Sequence, residues 1–117
     1  MAEPLREHCL VVRGGLSEIG TLKEAIETCA DRLGFYGLSV WGENGLTFDE
    51  TCRRARLRNP RVRVTTIGRL RRLGLEPYRS GRVPHLTIEF DIRPTDEDLA
   101  AIAGVFDPDV RNPHPSH

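Results

Sequence analysis

Paired cysteines are missing. The three present, Cys9, Cys29 and Cys52, form no Cys-x-x-Cys, and their odd number leaves no complete disulfide framework. Cys29 and Cys52 fall on the apolar stripes of expected helices, where cysteine behaves as a small hydrophobe. These spacings, with His114 and His117 in a proline-rich tail, assemble no four-ligand cluster, so no metal and no cofactor is expected. Long apolar runs are missing too. Nothing approaches the ~18 residues a membrane-spanning helix needs, and "MAEPLREHCL" lacks the basic-then-apolar order of a secretory signal. The expectation is a cytoplasmic protein that does not meet a membrane. Lysine is almost absent: Lys23 stands alone against sixteen arginines. Aromatic residues make up only 6% of the chain, which argues against a broad base-stacking platform.

What is present is a separation of charge hidden inside a net charge of zero. Between Arg53 and Arg82 eleven arginines face one acid, Glu76, so these thirty residues carry +10 and the other 87 carry −10. The arginine fork suits bidentate contact with phosphate or carboxylate better than the lysine ammonium does. A block so one-sided points to an anionic partner: RNA, DNA, a nucleotide, or an acidic protein. The same separation favours self-association, positive patch on negative patch, as a homodimer.

At 117 residues the chain suits one domain with a modest core. Residues 1–107 read as a compact α/β unit and 108–117 as an irregular, Pro-rich tail. "HCLVVR" (8–13) reads as a buried strand. Thr21 and Glu24 have the spacing of a capping box, followed by Leu22, Ile26, Cys29 and Leu33 at helical period. "GLSVW" (37–41) is a short strand, and Thr47 with Glu50 opens a second helix. "VRVTT" (62–66) is a strand, Thr66 caps a short basic helix, a weak strand follows at 75–79, and Thr95 with Asp98 starts a last helix. The expected fold is α/β or α+β: a single-layer mixed sheet of four to five strands with about four helices packed on it.

"VPHLTIEFDI" (83–92) alternates strictly, with Leu86, Ile88, Phe90 and Ile92 on one side and His85, Thr87, Glu89 and Asp91 on the other. Histidine titrates close to physiological pH, so a His with a hydroxyl two residues along the same face has the chemistry to handle a proton beside a phosphate. "PHLTI" resembles the His-x-Thr motif of the 2H phosphoesterases, in which two such motifs on paired strands supply two histidines for phosphodiester chemistry. That resemblance implies His85 and Thr87 as one half, with His8 as the only candidate for the other, although Leu10 stands where Thr or Ser belongs. Arg13, Ser39 and Glu89 also follow the arginine, serine, glutamate order of some ADP-ribosyltransferases, without the serine motif of that family. "RGGLSEIGTL" (13–22) has the two-glycine spacing of a phosphate loop, but Thr21 and Leu22 replace the lysine and hydroxyl residue, which excludes triphosphate hydrolysis by that route.

The expected catalytic residues are therefore His85 as general acid/base, Thr87 on the anion, and Glu89 or His8 as a second proton-handling group. Arg13, Arg63, Thr65, Thr66, Arg69, Arg71 and Arg72 are the expected anion-binding set. The expected function is a small bacterial RNA- or nucleotide-directed protein, such as a compact nuclease-like toxin with metal-free phosphodiester chemistry. The alternative is a non-catalytic, antitoxin-like binding module whose arginines dock nucleic acid or an acidic protein.

Overall fold

The structure, a computed structural model, describes residues 3–15 and 18–115, with residues 108 and 109 described by backbone only. Its elements in chain order are β1 (Leu10–Gly14), α1 (Ile19–Leu33), β2 (Tyr36–Trp41), α2 (Phe48–Ala55), β3 (Arg61–Thr66), α3 (Ile67–Arg72), β4 (Tyr78–Arg79), β5 (His85–Phe90), α4 (Asp96–Gly104) and β6 (Asp107–Arg111). The strands form one open sheet in the order β4-β5-β2-β1-β3-β6. Every neighbouring pair is antiparallel, so the sheet is not mixed, and it has six strands rather than four to five. Helix α1 joins two antiparallel neighbours, whereas α2, α3 and α4 each join strands that run in the same direction but are not neighbours in the sheet. Among the described residues no helix is long and apolar enough to cross a membrane.

The two faces of the sheet are covered unequally. On one, Val11, Leu38, Val40, Leu86 and Ile88 meet Leu22 and Ile26 of α1, Ile67 and Leu70 of α3, and Leu99 and Ile102 of α4. These side chains are almost wholly buried, and each fully buried Leu or Ile stabilises the fold by about 1.5–3 kcal/mol. On the other face only α2 packs, through Cys52, against Val12, Val62 and Leu57, with Trp41 and Val110 at the margin. Over the β2 and β5 part of that second face, α2 reaches only the end at Trp41 and His85. The alternation read in residues 85–90 is thus real: its apolar half faces the three-helix core and its polar half faces open sheet.

Two helix starts match their capping boxes. The Thr47 hydroxyl accepts from the Glu50 amide and the Glu50 carboxylate accepts from the Thr47 amide; Thr95 and Asp98 do the same for α4. The third does not. Helix α1 begins at Ile19 with Glu18 at its N-cap and no side-chain cap, so Thr21 and Glu24 lie inside the first turns. Leu16 and Ser17 of the glycine-containing loop lie outside the described residues.

The proline-rich end was expected to be irregular from residue 108, yet 107–111 pair with β3 as the outer strand β6. Asn112 explains how. Its buried side-chain amide donates to the Leu57 and Asn59 carbonyls, and its backbone amide donates to Pro60, which fastens the strand from its far end. Residues 116 and 117 of the expected tail lie outside the described residues. At the end of β2 Gly42 is required by close approach: an added Cβ would collide with the Leu10 carbonyl oxygen. Its amide donates to Pro84 across 2.8 Å, holding the loop before β5 against β2.

Candidate active site on the open sheet face

Strand register, rather than sequence proximity, assembles the polar face. His85 is paired with Trp41 and Thr87 with Ser39 across β2 and β5, while Tyr78 of β4 pairs with Thr87 from the other side. Paired residues share a face, so Ser39, Trp41, His85, Thr87 and Tyr78 stand together. The half-buried His85 ring is held from both nitrogens. Its Nδ1 lies 2.9 Å from the Ser80 carbonyl oxygen and 2.9 Å from Ser80 Oγ, and its Nε2 lies 3.0 Å from Ser39 Oγ. Ser80 Oγ and Thr87 Oγ1 are 2.6 Å apart. Trp41 meets the imidazole edge-on, with ring centroids 5.6 Å apart.

The carbonyl decides the tautomer. A carbonyl oxygen only accepts, so Nδ1 carries the hydrogen and Nε2 of the neutral ring is a bare acceptor. Ser39 Oγ–H therefore donates to Nε2. A hydroxyl, an imidazole and a group that orients the imidazole, in that order, form the arrangement by which a serine oxygen is made nucleophilic.

Against His85 and Trp41 lies a cavity of about 310 Å³ whose remaining wall includes Arg54, Arg56, Arg82 and Pro84. Its cations are not among those the fold binds to acids. Arg69 is bound to Asp107, Arg71 to Glu7 and Glu76, and Arg79 to Glu43, and Arg63 is engaged as well. Arg54, Arg56 and Arg82 make no ion pair among the described residues. Arg56 is held there at a conformational cost: as C-cap of α2 it has φ 55°, in the left-handed region that glycine prefers. A second cleft of about 320 Å³, lined by Leu73, Phe90, Ile92 and Ile102 with Glu89, Asp91 and Asp98 at its rim, carries no basic residue.

The residues expected from sequence are only partly brought together. His85 and Thr87 are in the cluster. Glu89 is four residues further along β5, roughly 13 Å away at strand spacing, and its carboxylate accepts from Tyr78 at 2.7 Å. His8 precedes β1, and β2 lies between β1 and β5, so two strand spacings, roughly 10 Å, separate its strand from that of His85. The paired-histidine arrangement implied by the phosphoesterase resemblance is not formed. Arg13 does meet Ser39, but through the main chain: its Nη1 donates to the Ser39 carbonyl at 2.9 Å, where β1 and β2 are bridged only at Val12 and Trp41. Burial pulls the Arg13 guanidinium below its ordinary value.

The expected anion-binding set disperses. Thr66 is occupied as the cap of α3, accepting from the Arg69 amide, and Thr65 is buried inside the sheet. Arg69 and Arg71 are bound to acids of the same chain, and Arg72 stands exposed on α3 with no ion pair among the described residues. Sequence reasoning passed over Trp41, Ser80 and Arg82 and singled out neither Arg54 nor Arg56 from the block. The alternation of "GLSVW" does place Ser39 and Trp41 on one face; only the β2–β5 register shows that this face is the one His85 shares. Comparison with protein-family models, curated proteins and solved structures finds no match to the chain. The fold and site define an antiparallel α/β sheet protein with a single-histidine, arginine-walled cleft.

Proposed function

We propose that this protein acts on single-stranded RNA, holding its phosphates at Arg54, Arg56 and Arg82 and handling a proton with His85. The observation that carries the reading is the sorting of the arginines. Within a block of eleven, acids of the chain bind Arg69 and Arg71 on α3 and Arg79 on β4, and Arg54, Arg56 and Arg82, which make no ion pair among the described residues, border the cavity that holds His85 and Trp41. A phosphodiester is the ligand such a cleft suits: anionic, and attached to a base with a π-face for Trp41.

Trp41 is the only tryptophan in the chain, so its emission reports directly on the cleft. Titration with a single-stranded RNA oligonucleotide is expected to change that emission, with affinity falling steeply as salt rises. The pair Arg54→Ala and Arg82→Ala should weaken binding about tenfold, on the scale of lost phosphate contacts, and Arg69→Ala should leave it within about twofold. Cleavage of the bound RNA should fall at least ~100-fold in His85→Ala, the usual worth of a general base. Equal weakening by Arg69→Ala would reduce the cleft to one part of a diffuse positive field.

A second reading has an observation of its own. Both ring nitrogens of His85 are already bonded within the protein, as they are in a histidine that only braces a strand. On that reading the chain is a non-catalytic module whose arginines dock RNA or an acidic protein. His85→Ala would then leave binding intact, and neither form would cleave.

A further inference from the structure

Cleavage of RNA by its own 2′-hydroxyl calls for one group to take the 2′ proton and another to protonate the departing 5′ oxygen. Among the described residues the open face offers His85 but no second proton handler beside it, since Glu89 is distant and held by Tyr78 and His8 lies off the end of β1. A covalent route needs only one imidazole, used twice. The parts for it are in place around Ser39: its hydroxyl donates to Nε2 at 3.0 Å, and the Ser80 carbonyl fixes the opposite nitrogen as the donor. Arg13 anchors the same residue through its carbonyl.

We propose that Ser39 is the nucleophile of a two-step phosphodiester hydrolysis, an inference that rests on the RNA reading above. In the first step a bond forms between Ser39 Oγ and phosphorus while the bond from phosphorus to the 5′ oxygen breaks. The Ser39 proton passes to His85 Nε2 and from there to the departing 5′ oxygen. In the second step water adds to phosphorus and the bond to Oγ breaks. One water proton goes to Nε2 and on to Ser39 Oγ, releasing a 3′-phosphate and the original enzyme. Ser80 is a positioning residue, acting through the imidazole.

The test needs no RNA. An alkyl fluorophosphonate would be incubated with the folded full chain, and the adduct located by intact mass and peptide mapping. The expected result is a single phosphonyl group on Ser39, formed with loss of fluoride. It should be absent from Ser39→Ala and form at least ~100-fold more slowly in His85→Ala, with Trp41 emission confirming that both variants are folded. No adduct on the wild-type chain, an adduct on another hydroxyl, or labelling indifferent to His85 would each overturn the assignment. The two readings fail separately: RNA binding without labelling removes Ser39 alone, and labelling without RNA binding keeps the nucleophile and removes RNA as its substrate.

Discussion

Replacing Arg56 by glycine should stabilise the protein and weaken its grip on RNA at once. Arg56 closes α2 at φ 55°, the only non-glycine residue at positive φ among the described residues. For a residue with a Cβ the left-handed region costs about 1–2 kcal/mol. Glycine removes that cost but adds freedom to the unfolded chain worth about 0.5–1 kcal/mol. The net gain is about 0.5–1 kcal/mol, because Arg56 is exposed and makes no ion pair among the described residues that the change would forfeit. Urea unfolding followed by Trp41 emission measures this as a higher midpoint at unchanged slope. The same substitution deletes a cation from the cavity wall. Each phosphate contact on a single strand contributes about 0.7 to the slope of log affinity against log salt, so that slope should become shallower by about 0.7. Arg56→Asn, which tolerates the left-handed region without glycine's flexibility, should reproduce both effects. A glycine variant that is less stable, or one that binds RNA with the wild-type slope, would refute the claim that strain is retained here for the sake of a charge.

Two further substitutions test how the site is held in place. Glu43 takes two hydrogen bonds from Arg79, both at 2.7 Å, beside the Ser80 that orients His85; these bonds hold its carboxyl below the ordinary carboxylate range. A depressed carboxyl contributes its stability above the unfolded value of about 4.3 and loses it as pH falls through the folded one. Glu43→Gln should therefore cost about 1–2 kcal/mol at pH 7, after allowance for solvent screening of a partly exposed pair, and progressively less below about pH 4; a deficit that stays constant from pH 7 to pH 3 in urea unfolding would contradict this. Asn112→Ala leaves the Leu57 and Asn59 carbonyls without their buried donor and should cost about 1–3 kcal/mol. Amide exchange should show the loss concentrated in β6 and β3, and uniform acceleration across the sheet would show that Asn112 is not a local clasp.

Local signals in the sequence were accurate where the physics is local. Thr47 with Glu50 and Thr95 with Asp98 cap their helices because everything a capping box needs lies within four residues. The strand at 85–90 was legible because alternation depends only on the pleat. Thr21 misled for the same reason: its spacing to Glu24 is right, but Leu22 and Ile26 must face the sheet, and the helix that achieves this starts three residues earlier. Strand β6 was hidden because prolines and charges surround Val110, and its clasp, Asn112, reaches carbonyls more than fifty residues away. Charge counting found the arginine block but not which arginines the fold would neutralise. That depends on Glu7 and Asp107, 64 and 38 residues from the arginines they bind.

The same distinction decides how the catalytic and the bracing readings of His85 are to be separated. A histidine that only braces β4 against β5 needs a bond to the Ser80 carbonyl, and that bond alone would secure the turn. The second bond, from Ser39, comes from a strand that already pairs with β5 along its whole length, so it adds little to the fold. A hydrogen bond of this kind is worth about 0.5–1.5 kcal/mol, while a buried group left unsatisfied costs more. Ser39→Ala removes the donor and leaves Nε2 beside an open, hydrated face, where water replaces it. The bracing reading therefore predicts almost no consequence of that substitution in any assay. The nucleophile reading predicts a chain equally stable and wholly inactive, and that combination of unchanged unfolding midpoint and abolished turnover belongs to chemistry and not to scaffolding.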